Sequence, residues 1–342
     1  MDDLRFGTRD ERGYWSPRAR LAIPPYWAWP PRFIDALKWL PKYLFPWNAY
    51  FMATALAYWY FVIPDFEVMK TLSWGWALRL YAVNAAAVFV TYGAVELVYY
   101  ARRKQGTRFK YNARFPSDHP SSVFWFKSQN IDNFLRTFLS GISMWTAVEV
   151  LMLYAFANGY APWLGWADHP LYLAVLVFVA PAIHEVHFFL IHRLIHTPFL
   201  YKWVHQVHHH SVNPSPWSSL SMHPVEAFLY HAVALWHLVI PSNPLIALFQ
   251  LHIAGFGALN GHFGFDKLEI TEGRALDGEA FSHYLHHKYF TVNYGGDGLI
   301  PLDKWFGSWH DGGPEAEAAM RERSRRKRDR SKPERRSAAG AA

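Results

Sequence analysis

The sequence predicts an all-α integral membrane protein with about four transmembrane helices, a short re-entrant or tilted helical hairpin, and a histidine-rich helical region on the cytoplasmic side. Three observations predict this arrangement. The 342 residues are 51% hydrophobic and 18% aromatic, which is too apolar for a typical soluble protein. Several apolar runs approach the roughly 20 residues that a helix needs to span a bilayer. Of the 19 histidines, 16 lie between His184 and His287.

The apolar runs divide into four long segments and two short ones. The segments long enough to span a bilayer are 44–64, 76–100, 134–157 and 171–196. The shorter segments 225–240 and 245–260 are separated by PSNP at 241–244, which is a turn sequence. We therefore expect these two segments to form the helical hairpin.

Basic residues are concentrated outside the apolar runs. The formal net charge is +7, and Lys and Arg cluster in the amino-terminal arm, in 101–131 and in 321–336. Short cytoplasmic loops are enriched in Lys and Arg, so these segments and the histidine-rich stretches are predicted to be cytoplasmic, with 65–75 and 158–170 opposite. Because the distribution of Lys and Arg follows the predicted membrane topology, the net positive charge does not indicate nucleic-acid binding. We therefore expect no nucleic-acid partner. The absence of Cys excludes disulfides, thiol nucleophiles and Cys-ligated clusters.

Three histidine clusters, HRLIH, HQVHHH and HYLHH, have helical spacing. Residues three or four apart lie on one face of a helix. The histidines that share a face within their clusters are His192 and His196, then His205, His208 and His209, then His283, His286 and His287. His210 lies about 140° from His205 at 100° per residue and is expected to point elsewhere.

Eight clustered imidazoles predict a metal centre. They exceed one tetrahedral site and suit two metals with four or five ligands each. Imidazole binds iron, zinc, copper and nickel, so the ligand type leaves the metal open. The alternative is a set of hydrogen-bonded core or interface histidines, which two H-x-x-H-H clusters and a pair beside membrane spans disfavour.

Three further residues are candidates for the same site. Glu185 lies seven residues before His192 on the same helix face, and is the candidate catalytic residue that orients a ligand imidazole by accepting its distal N–H. His223 precedes Pro224 at a helix start, which leaves its ring free to serve the metals. His262 follows the hairpin. We predict that His223 and His262 are ligands or neighbours of ligands.

Residues 170–312 resemble the fatty acid hydroxylase/sterol desaturase superfamily. The motifs HRLIH, HQVHHH, SMHPVEAF, NGHFGF, HYLHHKYF, NYG and PLDKWFG occur in the expected order, and the first two boxes are close together, as in the sterol desaturase branch. The resemblance implies that the eight clustered histidines bind two iron ions. His262 stands at the family's additional histidine, His223 at its HP histidine and Glu185 at a position that is usually acidic. His210 is not required by the motif.

The resemblance implies an oxygenase that uses O2 and external electrons to hydroxylate a C–H bond of a membrane lipid, such as a sterol or a fatty acyl chain. Desaturation of the same lipid class is an alternative, because it uses the same histidine boxes. A metal transporter is a further alternative, which the absence of histidine from the first three apolar segments disfavours. Zinc is expected to compete for the imidazole sites in purified protein.

We expect the electrons to come from a separate protein. The chain has no Cys for an iron–sulfur centre, no HPGG haem motif and no convincing nucleotide-binding glycine loop. A ferredoxin, or a cytochrome b5-like protein with its reductase, would suit the basic cytoplasmic face. Abundant Arg and Ala and the lack of Cys favour a bacterial origin, and so a multi-pass protein of the cytoplasmic (inner) membrane with its metal site on the cytoplasmic side.

The predicted organisation has four regions. They are a cytoplasmic amino-terminal arm (1–43), three transmembrane helices with their loops (44–169), a catalytic domain that resembles the superfamily (170–312) and a basic, disordered tail (313–342).

Overall fold

The computed structural model describes residues 1–296 and 298–331. Helices of eight or more residues form about half of this part of the chain. They are α1 (Phe33–Tyr43), α2 (Ala49–Phe61), α3 (Trp74–Ala101), α4 (Gln129–Ala157), α5 (Pro170–Ile195), α6 (Pro224–His231), α7 (Pro244–Gly261), α8 (Phe281–Tyr289) and α9 (Pro314–Ser331).

Shorter elements connect these helices. Two antiparallel hairpins pair β1 (Gly7–Arg9) with β2 (Trp15–Pro17) and β3 (Lys267–Thr271) with β4 (Arg274–Asp277). The short helical turns are Asp3–Arg5, Pro25–Trp27, Leu44–Asn48, Phe66–Met69, Pro116–Asp118, Trp125–Lys127, Pro198–Leu200, Tyr201–His205, Gln206–His209, Pro216–Ser218, Ala232–Leu238 and Leu302–Trp305.

Four of the described helices, α3, α4, α5 and α7, are long and apolar enough to cross a membrane. Their outward surfaces carry large apolar side chains such as Leu78, Val90 and Leu171, which are all exposed. So much outward apolar surface is expected where the surrounding solvent is lipid. The all-α membrane class and the number of four spans are therefore confirmed.

The identity of one span differs from the prediction. The continuous helix within 44–64 is α2, whose 13 residues rise about 20 Å, whereas a hydrocarbon core is about 30 Å thick. The helix is interrupted because Phe45 adopts an extended conformation (φ −132°, ψ 140°) and Pro46 has no N–H to donate. The fourth candidate span is instead α7, which the sequence assigned to the hairpin.

The two halves of the predicted hairpin form helices of different length in the structure. Its first half forms α6 and the 3₁₀ turn Ala232–Leu238, and its second half forms α7. Helix α2 runs antiparallel along α7, with Thr54 Oγ1 2.9 Å from His252 Nδ1 and the rings of Tyr50 and Phe256 5.9 Å apart. Helix α7 is thus the centre of the bundle, and its carboxyl end leads to His262.

Close packing of α7 against α4 depends on a glycine. A Cβ atom at Gly255 would lie 2.1 Å from the Trp145 ring, which is fully buried. Real Cβ atoms do not approach other atoms so closely, so a larger residue would separate α7 from α4. This contact helps to fix the position of the histidine that follows α7.

The loops gather at two ends of the bundle. At one end, Asn158 Nδ2 donates to Lys70 O (3.2 Å), which brings 65–75 and 158–170 together, and Leu164 N donates to Ser242 O (2.7 Å), which adds the turn 241–244. At the other end, the basic segment 101–131 joins the arm and the β3–β4 hairpin, and there Gln105 Nε2 donates to Lys267 O (2.9 Å). The histidine clusters lie at this second end.

The tail differs from the prediction of disorder over 313–342. Its described part forms α9, and 332–342 lie outside the described residues. Two local features favour the helix: acidic residues Glu315 and Glu317 in its first turn, and an i,i+4 pair in which Arg326 Nε donates to Glu322 Oε1 (2.8 Å). Composition alone predicted a solvated tail because it does not register these spacings.

Candidate metal centre

Nine histidines converge at one end of the bundle and form two groups. The first group is His192, His196, His205, His209 and His286, and the second is His208, His262, His283 and His287. Within each group the candidate ligand nitrogens all lie within 4.8 Å of one another. The structure thus brings together the eight clustered histidines and His262. Eight of the nine side chains are buried, and His196 is half-buried.

Each H-x-x-H-H cluster contributes to both groups. In the second cluster, His205 and His209 join the first group, whereas His208 joins the second. In the third cluster, His286 belongs to the first group, and its neighbour His287 belongs to the second. Helical spacing predicted that these rings lie on one side of their helices. Because consecutive residues are rotated by 100° around the helix axis, neighbouring rings point toward different groups.

Five of the nine rings are oriented by a hydrogen bond from their outer nitrogen. The Nδ1 atoms and their acceptors are His192 with Tyr294 O (2.8 Å), His205 with Glu226 Oε1 (2.8 Å), His208 with Ser221 O (3.3 Å), His262 with Ala258 O (2.8 Å) and His286 with Val292 O (2.7 Å). These oxygens only accept, so Nδ1 carries the proton in each ring. The lone pair of Nε2 is therefore left facing the centre.

The inward nitrogens fit a bound cation. Nε2 of His192 lies 3.2 Å from Nε2 of His205, and Nε2 of His208 lies 3.2 Å from Nε2 of His262. All four rings use Nδ1 as the donor, so these pairs place lone pair against lone pair and cannot hydrogen-bond to each other. A cation between them removes this repulsion. An all-imidazole donor set suits iron, zinc, copper or nickel and not magnesium or calcium.

The histidine rings have the protonation state that binds metal at neutral pH. Burial lowers the pKa of His208 to about 4, and burial together with the neighbouring His208 lowers the pKa of His262 to about 3. Burial and the surrounding imidazoles hold the pKa of His205 well below its usual value. These rings are therefore neutral at pH 7, and their lone pairs are free for a metal ion.

Glu226 is a functional residue that sequence reasoning missed. Its buried carboxylate on α6 accepts the Nδ1–H of His205, and such carboxylate–histidine pairs fix the orientation of a ligand ring. Burial raises the pKa of Glu226 well above its usual value, whereas the positive charge of a metal ion bound to His205 would favour the carboxylate form that accepts this N–H. The sequence explained Glu226 by its place near a helix start. A carboxylate within the apolar run VEAFLYHAVALW (225–236) was the available signal.

Glu185, His223 and His210 lie outside both groups. Glu185 Oε2 accepts from the backbone N–H of Ile300 (3.1 Å), and Glu185 lines the cavity described below. The ring of His223 caps α6, with Nδ1 accepting from Val225 N (3.2 Å). His210 is half-buried, and its ring centroid lies 6.2 Å from that of Phe124. The prediction that His210 points away from its neighbours is confirmed.

A cavity of about 620 Å³ opens beside the metal centre. Histidines of both groups line it, including His192 and His205 from the first group and His208 and His283 from the second. Its apolar and aromatic walls include Trp47, Phe51, Phe188, Met222, Tyr230 and Ile253. This volume falls within the range of sites that enclose small organic ligands.

Comparison with known proteins shows what the segment that carries the site is similar to. Residues 175–308 match the family model described as fatty acid hydroxylase. The chain is 31% identical over 189 residues to the Delta(7)-sterol 5(6)-desaturase erg3C of Aspergillus fumigatus, covering 48% of this chain and 56% of that protein. It is 32% identical over 111 residues to the Delta(7)-sterol 5(6)-desaturase ERG3 of Saccharomyces cerevisiae, covering 31% of this chain and 28% of that protein.

The chain spans about half, or less, of the length of these relatives. No solved structure matches it. All nine histidines of the two groups lie within the segment that the family model matches. Residues 175–308, which carry all nine histidines, are therefore similar to the fatty acid hydroxylase family.

Proposed function

We propose that this chain is a membrane-bound di-iron oxygenase that uses O2 and external electrons to hydroxylate a C–H bond of a lipid. The observation that carries the proposal is the nine-histidine centre, whose two groups border one cavity with largely apolar walls. An apolar cavity beside membrane-spanning helices suits a sterol or acyl chain as substrate. The family match supports the same activity.

Each histidine group would hold one iron ion, the first with five imidazoles and the second with four. When bound, the two ions supply the activation of O2 that oxidation of an unactivated C–H bond requires. Zinc competes for such sites in purified protein, because imidazole binds both metals. His223 stays a proposed neighbour of the centre, since its ring lies at the start of the helix that carries Glu226.

The protein itself orients the ligands, positions the substrate and excludes water. The acceptors of the Nδ1 protons hold five ligand rings in place, and Glu226 is the only side chain among these five acceptors. The aromatic walls of the cavity would hold the reacting carbon near the centre, which lowers the entropic part of the barrier. Glu185, on the cavity wall, stays the proposed catalytic residue.

The proposed partners are a membrane lipid, O2 and a separate electron donor, either a ferredoxin or a cytochrome b5-like protein with its reductase. We place the protein in the cytoplasmic membrane of a bacterium, with the metal centre on the cytoplasmic side. The concentration of Lys and Arg at the end of the bundle that carries the histidines supports this orientation.

Desaturation is the second candidate reaction. The relatives described above are named sterol desaturases, and desaturation needs the same centre. Metal transport is disfavoured, because all nine histidines gather at one end of the bundle and a transporter would bind its ion near the middle of the membrane.

An isotope experiment tests the proposal and separates the two reactions. Lipids from cells with and without the protein, grown under ¹⁸O2, are compared by mass spectrometry. Hydroxylation uses one O2, two electrons and two protons, and leaves one labelled oxygen in the lipid and one in water. Desaturation uses the same inputs, removes two hydrogens and sends both oxygens to water. A lipid 18 mass units heavier supports hydroxylation, a lipid 2 units lighter supports desaturation, and unchanged lipids would contradict both.

A further inference from the structure

Helix α1 has three faces of different character. None of its residues is buried. With 100° between successive residues, Phe33, Ile34 and Leu37 fall on one side, and Lys38 and Lys42 on another. Trp39 and Tyr43 fall on a third side and are half-buried. The metal centre and its ligands do not use any of these residues.

The first face is apolar and uncovered. The exposed fractions of Phe33, Ile34 and Leu37 are 75%, 70% and 69%. The apolar surface continues at both ends of the helix, because Trp29 is 91% exposed and Phe45 is 70% exposed. In water such a surface would be costly. A helix with large apolar residues on one face and lysines on another is typical of one that lies in the surface of a bilayer.

The third face borders the cavity. Trp39 and Tyr43 line the same cavity as histidines of both metal groups. The Tyr43 hydroxyl donates to the carbonyl oxygen of Phe178, which connects α1 to the spanning helix α5. Lys42 on the second face pairs with Glu279 Oε1 at 3.3 Å, and both side chains are more than a third exposed. Helix α1 therefore separates the cavity from the surroundings of the bundle. The contacts of Tyr43 and Lys42 that attach it to the rest of the protein lie near the protein surface.

We propose that α1 lies in the membrane surface, with Phe33, Ile34 and Leu37 in the lipid, and that lipids of the bilayer reach the cavity beside it. The occupant of the apolar face is the bilayer, because this face continues through Phe45 into α2, which packs along the candidate span α7. This proposal deepens the proposed function, since it names the bilayer as the source of the substrate.

The test uses single cysteines in the full chain, which has no Cys of its own. Leu37→Cys and Lys38→Cys are labelled separately with bimane, and the protein is reconstituted in phosphatidylcholine nanodiscs with or without brominated phosphatidylcholine. The two positions are adjacent and both exposed, so they differ only in the face on which they lie. We expect the brominated lipid to quench the label at position 37 at least threefold more than the label at position 38. Aqueous iodide should give the opposite order.

Three outcomes would overturn the membrane placement: equal quenching of both labels by the brominated lipid, stronger iodide quenching at position 37, or protection of position 37 from both quenchers. The last outcome would indicate that another protein chain covers the face. Phe33→Cys and Asp35→Cys form a second matched pair if the first pair does not fold, with the label at position 33 on the lipid side and the label at position 35 on the water side.

A label at Trp39→Cys tests the route into the cavity. If bilayer lipids reach the cavity beside α1, brominated lipid should quench this label and iodide should not. Quenching by iodide alone would show that the cavity opens to water, and the route would be wrong. None of these measurements requires metal or turnover, so their failure is distinguishable from failure of the proposed reaction.

Discussion

At the scale of single residues, the outer nitrogen of each ligand ring matters as much as the inner one. A histidine binds metal through Nε2 only if Nδ1 holds the proton, and a suitable acceptor beyond Nδ1 secures this arrangement. Backbone carbonyls fulfil this role for His192, His208, His262 and His286. A mutation can remove such an acceptor only where it is a side chain, which is the case for Glu226.

Replacement of Glu226 by Gln should lower metal affinity about 10- to 100-fold, as is usual for a residue that orients a ligand. The amide can still accept the His205 N–H, but it lacks the charge that strengthens the hydrogen bond. Metal retained against a graded chelator, measured by mass spectrometry, checks this. Val225→Ala on the same helix is the control, since Val225 is 46% exposed, and it should retain its metal. Equal retention by the Glu226 variant and the wild type would show that Glu226 does not orient His205.

The run His208–His210 provides a second comparison between neighbours. His209→Gln should lose at least one metal ion per chain, because His209 belongs to the first group. His210→Gln should keep both ions, because its ring is half-buried beside Phe124 and outside both groups. Metal analysis of the folded, purified variants measures the difference. Equal losses would place His210 in the centre as well.

At the scale of elements, the tail helix supports the third histidine cluster. Glu317 of α9 accepts from Lys288 Nζ (3.0 Å) and from the Tyr289 hydroxyl, at the carboxyl end of α8. The Tyr289 ring also stacks on His310, with the centroids 5.2 Å apart. The helix that carries His283, His286 and His287 is therefore held from outside by a segment beyond the matched family region.

Replacement of Glu317 by Ala should destabilise α8 by about 1–2 kcal/mol, because it removes two partly buried hydrogen bonds, one of which involves a charged amine. Hydrogen exchange of the amides in 281–289 should become faster. Glu322→Ala is the matched control on the exposed side of α9, where the partners of Glu322 among the described residues are Arg325 and Arg326. Unchanged exchange in the Glu317 variant would mean that α9 does not stabilise α8.

Local periodicity predicted which histidines converge, but not which partners they meet. The spacing of His205, His208 and His209 places three rings on one side, because the helical turn alone sets their directions. Their division between two groups depends on contacts with segments up to about eighty residues away, such as the 3.0 Å approach of His286 to His209. Glu226 was missed for the same reason, since its contact with His205 spans 21 residues.

Two predictions made from the average composition of a segment, the span within 44–64 and the disordered tail, differ from the structure because particular residues determine the local conformation. The segment 44–64 is apolar along its whole length, but Pro46 breaks the helix, and α7 becomes the fourth candidate span. The tail is strongly basic, yet its Glu–Arg spacing and the docking of Glu317 allow a helix. In both cases an average over the segment, of hydropathy in 44–64 and of charge in the tail, does not show where the residues lie that determine the structure.

At the scale of the whole molecule, the two ends of the bundle differ in charge and in content. The histidine end carries the basic segment 101–131 and the basic helix α9, whereas the other end joins 65–75 to 158–170. Because the proposed reaction takes its electrons from a cellular donor, the proposal puts the metal centre on the side where cellular reductant is available. Charge and chemistry therefore lead to the same expected orientation.

Single cysteines at Ala167, Ser122 and Ser324 test this orientation, and all three positions are exposed. A membrane-impermeant thiol reagent applied to intact cells should label only the cysteine at position 167, while lysed cells should show labelling at all three. Labelling at 122 or 324 in intact cells would contradict the orientation and the proposed supply of electrons from the cytoplasm.

The division of each H-x-x-H-H cluster between the two groups has a consequence for assembly of the centre. Because His208 and His209 are consecutive and belong to different groups, an ion that bound and ordered one would also fix the backbone of the other. The same holds for His286 and His287. Shared ordering of this kind couples two binding events, by roughly 5- to 150-fold in affinity for typical coupling energies. During stepwise addition of iron, native mass spectrometry should therefore find chains with no ion or two ions in excess over chains with one. A binomial distribution would show that the two positions fill independently, and partly loaded protein would then be common whenever iron is scarce.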